Sequence, residues 1–155
     1  MDLYDVRKAA IDAHEETWQL LEKPDRSPAE TEAMIAAAQT SLVLWEQVGT
    51  SVNAQRAHWL VARVAVDAGL SELALDHARR TLALTADHPA RLQDFDFAFA
   101  EEIAARAFAL AGNVTDAANH YAAAKRLGEA IKDADSRREF FRQFERGPWF
   151  GVASA

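Results

Sequence analysis

The segment between residues 99 and 127 constrains the fold more than any other part of the sequence. It reads FAEEIAARAFALAGNVTDAANHYAAAKRL, which is rich in alanine on both sides of a central glycine and asparagine. Small and aromatic residues recur three or four positions apart before the glycine, as at Ala105 and Phe108, and again after it, as at Ala117 and Tyr121. Helices bury a stripe of residues with this spacing. The segment therefore predicts a helical hairpin in which alanine allows close approach and an aromatic ring fills the adjoining space.

An earlier part of the chain repeats this pattern. A shift of 43 residues superposes three small residues of one segment on identical residues of the other. The matched pairs are Gly69 with Gly112, Ala62 with Ala105, and Ala74 with Ala117. The earlier copy has Ala65 and Ala78 where the later copy has its two aromatic residues. Self-similarity at a fixed period is typical of stacked helical hairpins.

The order of small, aromatic, glycine, alanine and aromatic residues resembles a tetratricopeptide repeat. Glu101 and Ala104 stand where that repeat usually has Trp and Leu, and the period is longer than its usual length of about 34. The final run IKDADSRREFFRQFERGPWF resembles the C-terminal segment of many uncharacterised bacterial helical-repeat proteins. These resemblances imply an all-α fold of about seven helices, with antiparallel hairpins stacked as a short superhelix.

We expect a single helical-repeat domain over residues 1–155. Its predicted parts are a divergent hairpin at 2–48, repeat-like hairpins at 52–87 and 94–132, and a C-terminal capping helix with a tail at 135–155. The sequence SPAE at residues 27–30 has the form of a capping box and predicts the start of the second helix. Gly49 predicts that this helix ends in a left-handed conformation.

Two features near the C-terminus concern packing. Gly128 lies inside the predicted sixth helix, where glycine costs about 1 kcal/mol relative to alanine, so it predicts a kink or a close packing contact. Phe140, Phe141 and Phe144 are expected to seal the open end of the stack. The segment 147–150 is expected to fold over them as an irregular tail.

Composition limits the classes of function. The 155 residues contain no cysteine, which excludes disulfide frameworks and thiolate chemistry. Seventeen basic and 24 acidic residues give a net charge of −7, which disfavours nucleic acid as a partner. No apolar run approaches the roughly 20 residues of a membrane span, so we expect a cytoplasmic protein without a membrane partner. The richness in alanine and the preference for arginine over lysine are associated with bacterial proteins from GC-rich genomes.

A basic tail is the main exception to the acidic balance. Arg137, Arg138, Arg142 and Arg146 alternate with three phenylalanines, a pattern that also occurs in segments that contact nucleic acids or membranes. More often a helix of this kind buries its aromatic rings and leaves its arginines in water. We adopt the second interpretation.

The first helix of each hairpin provides the candidate binding site. If these helices line a concave face, as the resemblance implies, six residues form a partner-binding groove. They are Arg56, Trp59, Arg63, Phe99, Glu102 and Arg106. Arginine offers a planar fork that matches a carboxylate, so this set predicts a site for an acidic peptide. The alternative is that Arg63 and Arg106 only form surface ion pairs with the acidic residues four positions away.

Other patterns give no catalytic, metal or cofactor site. The run from His14 to Trp18 begins like the HExxH zinc motif but has tryptophan where the second ligand belongs. His77 and His120 are 43 residues apart, so repeat equivalence explains them without a function. No glycine-rich phosphate loop or nucleophile elbow is present. We therefore assign no catalytic residue, metal ligand or cofactor.

The sequence thus predicts a non-catalytic adaptor that binds a protein or peptide on the concave face of its helical hairpins. A self-associating structural module, and so a homo-oligomer, is the first alternative. A helical metalloprotein or enzyme is the second, and it would require histidines and carboxylates from separate helices to converge.

Overall fold

A computed structural model describes residues 2–152, so residue 1 and residues 153–155 of the predicted domain lie outside the described residues. Within this range the chain forms seven α-helices and no strand. The helices are α1 (Leu3–Leu21), α2 (Pro28–Val48), α3 (Ser51–Asp67), α4 (Ser71–Asp87), α5 (Asp94–Leu110), α6 (Val114–Glu129) and α7 (Ala134–Phe144). This arrangement confirms the predicted all-α fold. None of these helices is both long and apolar enough to cross a bilayer.

The helices pack in the order of the chain. The pairs α1–α2, α3–α4 and α5–α6 form the most extensive helix contacts, and α2 packs on α3 as α4 packs on α5. The helices α3 and α5 also contact each other directly, and α7 lies against α5 and α6. The result is a stack of three hairpins closed at one end by α7.

The second and third hairpins keep the spacing found in the sequence. The helix α5 begins and ends 43 residues after α3, and α6 begins 43 residues after α4. The turns contain Gly69 and Gly112, whose φ angles of 74° and 83° lie in the left-handed region that favours glycine. The 43-residue shift is therefore also the shift between two helical hairpins.

The middle helices are buried on all sides. Every residue from 60 to 66 on α3 and from 102 to 107 on α5 is buried. A helix enclosed in this way must be small or apolar around its whole circumference, which explains the alanine and valine content of both segments. It also places three charged residues of these segments, Arg63, Glu102 and Arg106, inside the protein.

The C-terminal helix seals the stack as predicted. Phe140 and Phe144 are buried, and Trp149 from the following tail packs on Phe144 with ring centroids 5.2 Å apart. Trp149 also meets the edge of Tyr121 from α6, with centroids 4.9 Å apart. Trp149 is thus part of a second core cluster, whereas Phe150 beside it is exposed.

Gly128 makes the close contact that its position predicted. A Cβ atom at this residue would lie 2.2 Å from the Phe140 ring, so only glycine fits. The helix α6 ends at Glu129 and not near Lys132 as expected. The chain leaves the helix there because Ile131 inserts into the same buried cluster as Phe140.

The backbone conformation of Gly49 differs from the predicted one. Its φ and ψ angles of −93° and −179° are extended, so α2 does not end in a left-handed conformation. Only two residues separate α2 from α3, and the Asn53 side chain accepts a hydrogen bond from the Thr50 N–H at 3.0 Å as the next helix begins. Glycine is required because a Cβ atom would lie 2.7 Å from the Trp45 carbonyl oxygen.

Candidate functional site

A groove runs along one face of the stack, where α1, α3, α5 and α7 all contribute side chains. Three adjoining depressions of about 240, 190 and 360 Å³ form it. The first and second share His14 and Arg56, and the second and third share Phe95 and Phe99. We call this feature the aromatic groove. It is lined by Ile11, His14, Glu15, Trp18, Trp45, Arg56, Trp59, Phe95, Asp96, Phe99, Asp135 and Glu139.

Helical spacing brings the aromatic rings together. His14 and Trp18 are four residues apart on α1, as are Phe95 and Phe99 on α5, so each pair lies on one side of its helix. The Trp18 ring stacks on Trp59 with centroids 6.0 Å apart, and Trp59 meets the edge of Phe99 at 5.4 Å. The Trp59 Nε1–H donates a hydrogen bond to the Phe99 carbonyl oxygen at 3.0 Å. These contacts fix an aromatic wall across three helices.

An ion pair lies beside this wall. The Arg56 guanidinium donates two hydrogen bonds of 2.9 Å to the Asp96 carboxylate. Asp96 is buried and also accepts the Gln93 N–H at 2.9 Å, which caps the start of α5. Arg56 remains exposed and its guanidinium carbon lies 5.3 Å from the centre of the Phe95 ring. The groove therefore already holds one guanidinium between a carboxylate and an aromatic face.

The six residues predicted to form the partner site separate into two groups of three. Arg56, Trp59 and Phe99 line the aromatic groove. The other three, Arg63, Glu102 and Arg106, lie buried behind it and cannot present their charges to a partner. Their placement also differs from the alternative of surface pairs, because the ion pairs form in the interior.

The three buried charges belong to a series that alternates in sign and begins with two partly exposed residues, and we call this series the charge ladder. It consists of Arg26, Asp67, Arg63, Glu102 and Arg106. The successive pairs Arg26–Asp67, Asp67–Arg63 and Arg63–Glu102 each have their closest charged atoms 3.7 Å apart, and Glu102 accepts a hydrogen bond from Arg106. The ladder links the loop before α2 to α3 and α5.

Arg106 extends the ladder to the C-terminal segment. Its side chain has no exposed surface. It donates hydrogen bonds to the carbonyl oxygens of Gln143 and Arg146, both at 2.9 Å, and of Pro148 at 3.1 Å. Its guanidinium carbon lies 4.0 Å from the centre of the Trp149 ring. Arg106 thus ties α5 to the end of α7 and to the tail that follows it, through carbonyl groups of all three residues.

Several residues that line the groove are not among those predicted from the sequence. Trp18, Phe95 and Asp96 line its centre but were not among the predicted site residues. The helical spacing of Phe95 and Phe99 was the signal available for Phe95. Trp18 and Asp96 become part of the site only through packing between helices, which periodicity along one helix does not reveal.

Two side-chain pairs that contain histidine occupy equivalent places in the two repeat-like hairpins. The Nδ1 atoms of His58 and His77 lie 2.9 Å apart, and 43 residues later Glu101 and His120 lie within hydrogen-bond distance of each other. Burial lowers the pKa of both His58 and His77, and the neighbouring His77 imidazole contributes to lowering the pKa of His58 to about 4. No group of three or more potential metal ligands occurs between residues 2 and 152.

The His58–His77 pair gives a prediction for acidic pH. In the unfolded chain His58 has a pKa of about 6.5, so between that value and about 4 the unfolded state binds a proton that the folded state does not. The free energy of unfolding is therefore highest above about pH 6.5 and decreases as the pH is lowered. We expect a loss of roughly 1 to 2 kcal/mol between pH 7 and pH 5, measured by urea unfolding at each pH.

Two variants test the source of this pH dependence. His58→Phe keeps a ring of similar shape without the proton and should reduce the slope of the pH profile between 5 and 7, with His77 and His14 accounting for the rest. His88→Gln, at an exposed position, should keep the native profile. An unchanged slope in His58→Phe would show that the pair does not cause the acid sensitivity.

Comparison with known proteins assigns neither a family nor a function to this chain. No protein family model, curated protein or solved structure matches this chain.

Proposed function

We propose that this protein is a non-catalytic adaptor that binds a short peptide segment of a partner protein in the aromatic groove. The observation that carries the proposal is the continuous groove across α1, α3, α5 and α7, with rings from three of these helices in its central depression. The resemblance to tetratricopeptide repeats, in which the first helices of the hairpins form the binding face, is consistent with this choice of surface.

The dimensions of the groove support a chain-like ligand. The three depressions, of about 190, 240 and 360 Å³, lie below or at the low end of the roughly 300 to 1,000 Å³ typical of pockets for small molecules, and the central one is the smallest. It suits a single apolar side chain. Open depressions continue on both sides, so a peptide can place one anchor residue in the centre and extend its flanking residues along the helices. Aromatic residues in such positions often dominate the binding energy.

The electrostatics of the groove fit binding better than acid–base chemistry. The central carboxylate, Asp96, is occupied by Arg56 and by the Gln93 N–H. Burial lowers the pKa of His14, so this imidazole is neutral at pH 7. The central depression therefore offers mainly apolar surface at neutral pH.

A pair of variants on one helix tests the proposal. Phe95 and Phe97 are both half-buried on α5, but only Phe95 lines the groove. Peptides selected on the native protein from a random-peptide phage library should bind Phe95→Ala at least tenfold more weakly, a change of about 1.4 kcal/mol. Fluorescence anisotropy with labelled peptides gives the affinities, and circular dichroism verifies the fold of each variant.

Phe97→Ala is the matched control, because it removes the same ring from the same helix outside the groove. Its affinity for the selected peptides should stay within about twofold of native. If selection enriches no peptide, or if both variants bind the enriched peptides like the native protein, the groove is not a peptide site.

A further inference from the structure

The charged residues that line the aromatic groove are mostly acidic. Glu15 lies at the α1 end, and Asp135 and Glu139 lie at the α7 end. The central Asp96 is paired with Arg56, which is the only arginine or lysine among the groove residues defined above. The sign of this lining is opposite to the one expected when Arg63 and Arg106 were placed on the concave face.

We propose that the peptide segment bound in the groove carries basic side chains beside its apolar anchor, and that Asp135 and Glu139 on α7 receive one of them. This inference rests on the proposed function, since it names the class of peptide that the same groove accepts. Three observations support it.

The first observation is the composition of the depression at the α7 end. It combines the rings of Phe95 and Phe99 with the carboxylates of Asp135 and Glu139 in a volume of about 360 Å³. An aromatic face attracts a cation through its quadrupole, and a nearby carboxylate adds a charge-assisted hydrogen bond. A lysine or arginine side chain can contact the aromatic face and the carboxylate at the same time.

The second observation is that the groove already binds a guanidinium group in this way within its own chain. Arg56 lies over Phe95 at 5.3 Å while Asp96 accepts two of its hydrogen bonds. At the other end, the guanidinium carbon of Arg7 lies 5.1 Å from the centre of the Trp45 ring, which repeats the aromatic contact. A basic residue of a partner would repeat the arrangement that Arg56 forms.

The third observation is that the α7 carboxylates are accessible. The side chain of Asp135 is 84% exposed and that of Glu139 is 48% exposed. Their present partners, Arg138 and Arg142, lie three residues later on the same helix. Arg142 donates two hydrogen bonds to Glu139, at 2.7 and 2.8 Å, and the Gln143 side chain donates a third at 2.8 Å. The pair of Asp135 with Arg138 is more exposed, and exposed ion pairs contribute about 0 to 1 kcal/mol, so a partner's cation can replace Arg138 there at little cost. The net charge of −7 also attracts a basic segment at long range.

Three mixtures of fluorescein-labelled nonapeptides test this inference. Each mixture has Leu, Ile or Phe at the central position and uncharged residues beside it. The first two and last two positions are Arg in one mixture, Gln in the second and Glu in the third, so that peptide direction does not matter. Anisotropy titrations use the native protein, Phe95→Ala, a groove variant (Asp135→Asn with Glu139→Gln) and a control variant (Glu72→Gln with Asp76→Asn).

The control variant removes the same two charges from another exposed helix. Glu72 and Asp76 are four residues apart on α4, and Asp76 pairs with Arg80 as Glu139 pairs with Arg142. We expect the native protein to bind the Arg mixture at least tenfold more tightly than the Glu mixture at low salt, with a smaller ratio in high salt. The groove variant should reduce this ratio several-fold, whereas the control variant should keep it.

The other outcomes separate the two proposals. Equal affinity for the Arg and Gln mixtures, or a preference for Glu, would overturn the basic peptide while leaving the groove as a peptide site. A preference for Arg that survives in the groove variant would overturn the assignment to Asp135 and Glu139. If Phe95→Ala binds every mixture as the native protein does, the proposed function itself fails.

Discussion

Replacing Arg106 with alanine is expected to lower the free energy of unfolding by about 3 to 5 kcal/mol, because it breaks a fully buried ion pair. The Glu102 carboxylate would remain in the interior without its closest cation. The carbonyl oxygens of Gln143, Arg146 and Pro148 would each lose the hydrogen bond that Arg106 donates, and the Trp149 ring would lose the cation that it covers. Urea unfolding followed by tryptophan fluorescence and circular dichroism measures the loss. A decrease in melting temperature of about 10 °C or more should accompany it.

Two further substitutions show which property of Arg106 matters. Arg106→Lys keeps the charge but lacks the planar fork, so it should restore only part of the stability. Arg106→Met keeps the apolar stem without the charge or the hydrogen-bond donors, so its free energy of unfolding should be close to that of Arg106→Ala. Combining Arg106→Met with Glu102→Gln removes both charges and should be more stable than Arg106→Met alone. An Arg106→Ala protein within about 1 kcal/mol of native would contradict a structural role for the charge ladder.

Much of the fold could be predicted because its signals are local. The hydrogen bonds of a capping box connect residues three apart, and Ser27 and Glu30 form both of them. The left-handed turns at Gly69 and Gly112 follow from the need for a residue without a Cβ atom. Such features depend on a few neighbouring residues, so the sequence reveals them before any packing is known.

Gly49 shows the limit of local reasoning. A glycine at the end of a helix usually adopts a left-handed conformation, yet Gly49 is extended in a connection where only two residues separate α2 from α3. The residue that matters is Trp45, whose carbonyl oxygen approaches too closely for any Cβ atom. The glycine at position 49 correctly indicated the end of a helix. The physical reason for the glycine is its close approach to the Trp45 carbonyl oxygen, which the sequence does not show.

The candidate site could be predicted only in part, for a related reason. Glu102 and Arg106 are four residues apart, a spacing that is typical of a solvated helix face. Their burial is decided by α7 and the tail, about 40 residues later, which cover α5 and supply carbonyl groups to Arg106. Local sequence therefore predicted the ion pair but not its environment, and two of the three arginines that it assigned to the groove, Arg63 and Arg106, lie in the interior.

Substituting Gly128 with valine is expected to lower the free energy of unfolding by about 3 kcal/mol or more. Alanine or another residue normally gains up to about 1 kcal/mol over glycine inside a helix, so an isolated helix would predict stabilisation from Gly128→Ala. Here the added Cβ would lie 2.2 Å from the Phe140 ring, which is fully buried and rigid. The overlap forces the ring or the helices apart, and overpacking of this kind costs about 1 to 3 kcal/mol or more. Gly128→Ala should therefore be destabilising as well, though less than valine.

A double-mutant cycle attributes this effect to the contact between α6 and α7. Phe140→Leu alone should be destabilising because it leaves space among Phe99, Phe141 and Phe144. In the Gly128→Ala background the smaller side chain makes room for the new methyl group, so the two losses should sum to more than the loss in the double variant. Urea unfolding of the four proteins gives the coupling energy, which we expect to exceed about 1 kcal/mol. Additive losses would mean that Gly128 is required for a reason other than Phe140. A coupling of the expected size would show that one glycine sets the distance at which the sealing helix packs on the stack, and with it the position of Asp135 and Glu139 on the groove.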